Sequence, residues 1–142
     1  MTYSALEEAK ADISGLWALQ QLADKGVVPD SVARTMYTTF LASCFRSIRF
    51  GITEAHGKGI ALQLNSLLDQ GAFVVNADGT FSVVDAKIKS AVEKLTRDLM
   101  TIQAAGDYNG AKDLLTKMVL IRPEVQRVLD KLKVVPVDIE PR

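Results

Sequence analysis

Glycines cut this chain into helix-length pieces. Gly26, Gly51, Gly71 and Gly106 each follow a stretch whose apolar residues recur every three or four positions, the period of a helix buried on one face. The first stretch, 4–25, carries Ile13, Leu16, Trp17, Gln20 and Ala23 in that spacing. A second opens at Pro29 or Asp30 and carries Val32, Met36, Tyr37, Phe40, Cys44, Phe45 and Ile48. The third runs from near Thr53 to Gln70 through Ile60, Ala61, Leu64, Leu67 and Leu68. Over 72–84 the period changes: two β-branched and aromatic runs flank Asn76-Ala77-Asp78-Gly79, which predicts a hairpin. Asp85 is expected to cap a fourth helix carrying Ile88, Val92, Leu95, Leu99 and Ile102 to Gly106. "DYNGAKDLLTKMVL" predicts a fifth, and Arg122-Pro123 a sixth that runs to about Lys133. The tail "VVPVDIEPR" is expected to lie extended against the body. With no repeat, linker or low-complexity tract, residues 1–142 are predicted to form a single mainly α domain. Its form is a bundle of about six helices with one small β-hairpin.

Charge narrows the partners. Seventeen basic residues balance seventeen acidic ones, so the basic excess that draws a protein to nucleic acid or anionic lipid is missing. The longest apolar runs are far too short to span a bilayer, and no signal peptide is visible. Cys44, the single cysteine, excludes an intramolecular disulfide and lies in an apolar stripe. These features predict a soluble cytoplasmic protein with a buried structural thiol, and neither nucleic acid nor membrane as partner.

Two places carry candidate chemistry. In "SALEEAKAD", Ser4 and Glu7 fit the S-x-x-E capping box, and Glu8 in a first turn would suit the helix dipole. That leaves Asp12, one turn beyond Glu8 on the same face and bordering Ile13 and Leu16. A Glu-x-x-x-Asp pair suits a zinc peptidase, where the Glu is a ligand and the carboxylate one turn on holds a ligand histidine. The same pair also occurs on ordinary solvated helix faces. His56, in "EAHGKG", falls in the first turn of the third helix. Gly57 and Gly59 beside it suit either a close ligand or a tight helix crossing. Arg46 and Arg49 could clamp a substrate carboxylate or simply complement a helix C-terminus. "HGKG" fails as a phosphate loop: five residues instead of four separate Gly51 from Gly57, and Gly59 stands where the hydroxyl residue belongs. With one histidine, the chain cannot hold an HExxH motif.

The stretches "EEAKADISGLWAL", "FRSIRFGITEAHGKGIALQ", "DGTFSV", "IQAAGDYNGAKDLL" and "RPEVQRVLDKLKVVPVDIEP" follow one another along nearly the whole chain. Together they resemble the C-terminal portion of the dipeptidyl-peptidase III family of zinc metallopeptidases, most closely its bacterial members. In that family two histidines of an HExxGH motif and the second glutamate of an E-E-x-[RK]-A-[ED] motif hold zinc. The resemblance therefore implies Glu8 as the metal ligand, Asp12 as the residue orienting a ligand histidine and Glu7 as its neighbouring carboxylate. It further implies His56 as the cleft histidine that stabilises the reacting carbonyl. The activity implied is removal of dipeptides from peptide N-termini by a zinc-activated water.

HExxGH is absent, and in the family it lies upstream of "EEAKAD". One carboxylate cannot hold catalytic zinc, so the chain alone is expected to be inactive. It would supply the third ligand to a larger enzyme, as an excised segment or as a natural short protein. The expected partners are then peptide substrate and the missing N-terminal portion, or a second copy through newly exposed apolar surface. The alternative is a stand-alone helical interaction or scaffold domain without catalysis.

Overall fold

The computed structural model describes residues 2–137. The order is α1 (Thr2–Asp24), α2 (Asp30–Ile48), α3 (Ala55–Asp69), β1 (Phe73–Val75), β2 (Phe81–Val83), α4 (Asp85–Ala104), α5 (Tyr108–Met118) and α6 (Pro123–Leu132). The chain is mainly α with one antiparallel hairpin, as its periodicity requires. Gly26, Gly51, Gly71 and Gly106 all take positive φ, the conformation that lets a helix end and the chain turn away.

α3 is the axis of the molecule. Every residue from Gly59 to Leu67 is buried, including Gln63, Asn65 and Ser66, because α1, α2, α4, α5 and the hairpin all pack around it. A one-faced stripe is what the spacing predicts; enclosure on all sides brings the polar residues in as well. The side-chain NH2 groups of Gln63 and Asn65 donate hydrogen bonds. Asn65 Nδ2 donates to the carbonyls of Met118 at 2.7 Å and Leu120 at 2.9 Å, tying the end of α5 to the axis.

α4 runs antiparallel to α1. Lys89 pairs with Asp24 at one end, and Gln103 donates to Glu7 at the other. Between them the Thr96 hydroxyl lies against the Ile13 carbonyl. The hairpin pairs Phe73 with Val83 and Val75 with Phe81. It docks through Phe81, whose ring meets Phe45 edge-on at 4.9 Å. α6 rests on α2 at the rim.

Several local expectations are corrected. α1 already includes Thr2, so Ser4 lies inside the helix and cannot cap it, and Glu7 and Glu8 fall beyond the first turn. Glu7 instead pairs with Lys10 at 2.7 Å and accepts from Gln103 at 2.6 Å. Trp17 has the spacing of a core residue but is 38 % exposed beside α4, whereas Gln20 is buried because it accepts from Tyr37 Oη at 2.8 Å. α3 starts at Ala55 rather than near Thr53, and Val84 rather than Asp85 takes the cap position of α4. Among the described residues of the tail, Val135 accepts from Arg49 at 2.8 Å and its amide donates to the Leu132 carbonyl at 3.0 Å, while Val134 is 88 % exposed. The rest of that tail, 138–142, lies outside the described residues.

Candidate functional site

Two glycines place the site. Gly51, at φ +99°, reverses the chain after α2, and its amide donates to the Ile48 carbonyl at 2.8 Å. α3 then begins so close to this turn that a side chain at Gly57 would run into the Gly51 carbonyl oxygen. Two residues on, a Cβ at Gly59 would stand 3.0 Å from the Ala9 amide nitrogen, 3.0 Å from Glu8 Cβ and 3.1 Å from the Ala5 carbonyl. Ala5, Ala9 and Gly59 thus form a small-residue crossing between α1 and α3, both alanines being fully buried. Of the two roles open to these glycines, the tight crossing is the one the backbone shows.

That crossing brings the candidate residues together. His56 Nδ1 lies 3.4 Å from Glu8 Oε2, and Nε2 lies 3.3 Å from Ser47 Oγ in the last turn of α2. The imidazole and carboxylate are about half exposed, at 55 % and 47 %. Two turns beyond His56, Gln63 Nε2 donates to Asp12 Oδ2 at 3.3 Å and to the Gly59 carbonyl at 3.1 Å. α3 therefore offers His56, Gly59 and Gln63 along one face, opposite Glu8 and Asp12 of α1. An exposed polar contact of this kind adds little stability, so the fold gains little by keeping it.

An open cleft of about 680 Å³ lies beside His56. Arg46, Ser47, Arg49, Glu54 and Pro136 form much of its wall. Arg49 donates to the carbonyls of Leu132 at 3.1 Å and Val135 at 2.8 Å, so it complements the C-terminal end of α6 rather than of its own helix. Arg46 is exposed at the wall. Glu7 points to α4: the hydrogen bond from Lys10, supported by Gln103, holds its carboxyl below the ordinary carboxylate range. Cys44 is fully buried in the core, and burial pushes its thiol up to about 12, with nearby Asp12 adding to the rise. It is a packing residue.

Sequence reasoning missed Ser47 and Gln63. Ser47 sits nine residues from His56, and only the reversal at Gly51 brings them together. Gln63 stands in a run that reads as a polar gap in an apolar stripe. A signal was present in its spacing, seven residues from His56, which puts both on one helix face.

No family model matches the chain. The dipeptidyl-peptidase III of Corallococcus sp. strain EGB is 67% identical and superposes with a TM-score of 0.94 over 99% of this chain. That of Caldithrix abyssi is 41% identical, with a TM-score of 0.95 over 100% of it. In sequence and fold alike, the chain matches a portion of dipeptidyl-peptidase III. It spans 26% and 27% of the length of those two chains. A plant protein, Nudix hydrolase 3 of Arabidopsis thaliana, is 55% identical over 141 residues, which are 98% of this chain but 18% of that protein. Its name belongs to a polypeptide more than four-fifths of which has no counterpart here.

Proposed function

We propose that the chain works as the C-terminal part of a dipeptidyl-peptidase III-type zinc metallopeptidase of the cytoplasm, an enzyme that removes dipeptides from peptide N-termini. The observation that carries this reading is the 67% identity and TM-score of 0.94 to a dipeptidyl-peptidase III over 99% of the chain. The meeting of Glu8 and His56 across the α1–α3 crossing supports it. In this role Glu8 would be the carboxylate that helps to hold the metal. Asp12, held by Gln63, would orient a ligand histidine, while Glu7, turned to Lys10 and Gln103, braces α1 against α4. His56 stands at the cleft that receives the peptide, and Arg46 and Arg49 lie on its wall.

The residues present do not by themselves fit a catalytic zinc ion. Such an ion takes three protein ligands and keeps a fourth position open. Among the described residues no three His, Cys, Asp or Glu side chains converge to hold a metal. The single histidine of the sequence faces the Glu8 carboxylate instead of standing beside it as a co-ligand. The remaining ligands, and the base that would activate water, must come from the rest of the enzyme, so no hydrolytic step is assigned to this chain alone. Purified by itself, the chain is expected to retain little zinc and to leave dipeptidyl arylamides intact. Robust zinc-dependent turnover by the isolated chain would overturn the proposal.

A further inference from the structure

α1 carries two seams, and the fold uses one of them. Leu6, Ala9, Ile13, Leu16, Gln20 and Ala23 are buried, and their steps along the helix alternate between three and four residues. A second set keeps the same alternation on the outward side: Glu8, Ala11, Gly15, Ala18 and Leu22. All of these are exposed. Residues 13–23 hold no charge, although the side of a helix that meets water ordinarily carries charged and polar residues. A helix patterned on two sides is built to be covered on two sides.

Gly15, at the middle of the outward seam, is a glycine for which the chain itself has no use. Glycine weakens a helix interior relative to alanine. The other helical glycines have a reason to lack a side chain: Gly57 clears the Gly51 carbonyl, Gly59 makes room for α1, and Gly110 lies against the Asp107 carboxylate. A side chain at Gly15 would meet nothing within 4 Å. On the α4 flank of the seam, a groove of about 420 Å³ opens between Trp17 and Met100. Both side chains are exposed, and tryptophan and methionine are enriched where proteins meet.

We propose that the outward side of α1, with Gly15 as its point of closest approach and the Trp17–Met100 groove at its flank, is the docking face for the part of the enzyme outside this chain. The proposal rests on the peptidase reading above. The chain spans 26% and 27% of the two dipeptidyl-peptidase III chains it matches, so most of such an enzyme lies beyond it. The seam also starts at Glu8, and on that reading the groups that join Glu8 belong to the missing part and reach it from outside α1. A face without charge, and without a side chain at its centre, suits an apolar segment laid close against the α1 backbone.

One substitution should then act with opposite signs in two settings. In the 142-residue chain alone, Gly15→Ala puts a better helix former at an open position and should raise the urea midpoint. In the Corallococcus dipeptidyl-peptidase III with its matching 26% replaced by this chain, the same methyl group would press on the docked segment. The Tm of that chimera should fall, and Gly15→Leu should lower it further. A higher Tm for the Gly15→Ala chimera would show Gly15 facing water in the enzyme and would overturn the proposal. So would a lower midpoint in the isolated chain, or sedimentation showing that the chain pairs with itself and that Leu22→Glu abolishes the pair. A chimera that cannot fold would deny that the two segments share a docking face. Zinc content and turnover of the unsubstituted chimera keep the two readings apart. An inactive, zinc-free chimera that still loses Tm on Gly15→Ala leaves the docking face standing and defeats the peptidase reading. An active chimera indifferent to Gly15→Leu does the reverse.

Discussion

Glycine 59 is the smallest residue in the site and one of its strongest determinants. A methyl group there would press on the Ala9 amide, Glu8 Cβ and the Ala5 carbonyl, two of which are rigid backbone. Gly59→Ala is therefore expected to push α1 and α3 apart, destabilising by about 1–3 kcal/mol in urea unfolding. It should also break the Glu8–His56 contact, visible as a shift of the one imidazole. A Gly59→Ala protein of wild-type stability would show that the crossing is not tight. Cys44 offers a second check at this scale. Burial keeps it protonated and out of reach, so a thiol reagent should modify it only at the rate of unfolding. Rapid labelling of the native protein would contradict its place in the core. The burial of Cys44 was legible from its place in an apolar stripe, whereas Glu8, Asp12 and His56 were singled out chiefly through the family resemblance. Ser47 and Gln63 were legible by neither route. Their significance comes from a chain reversal and a helix crossing, and neither leaves a mark on serine or glutamine itself.

At the level of elements, apolar period and glycine punctuation sufficed to name every helix and the hairpin. Helix starts were harder, for a physical reason. An N-terminus is marked by a hydroxyl or carboxylate that also serves inside a helix, so Ser4 and Glu7 could imitate a cap while sitting within α1. α5 shows the genuine article: Asp107 Oδ1 accepts from the Gly110 amide at 2.9 Å. Asp107→Ala should cost about 1 kcal/mol in denaturant unfolding, and an unchanged midpoint would deny the cap. Between elements, Arg122 at the start of α6 holds Asp69 at the end of α3 at 2.8 Å. This hydrogen bond keeps the Asp69 carboxyl below its ordinary range. A carboxylate lowered by folding contributes its full stability above the unfolded value, about 3.9. That contribution is lost as pH falls through the folded value. Asp69→Asn should then weaken the protein at neutral pH and flatten its acid unfolding limb, as followed by circular dichroism. An acid limb as steep as the wild type's would remove Asp69 from that role.

On the proposed reading, the whole molecule is a scaffold that carries one edge of a site. α3 is enclosed on all sides by other elements, yet its first turn stays open to a cleft and faces the α1 carboxylates. A domain built only to pack would have little use for a half-exposed carboxylate and imidazole held together by a glycine crossing. The proposed function makes Glu8, Asp12 and His56 parts of a larger centre. The zinc content of a chimera tests this most directly: the Corallococcus dipeptidyl-peptidase III, with its matching 26% replaced by this chain, carrying either Glu8 or Glu8→Gln. The account predicts about one zinc per folded chimera with Glu8, in keeping with a three-ligand catalytic site, and a large loss with Gln. A folded Glu8→Gln chimera that keeps its zinc would contradict it.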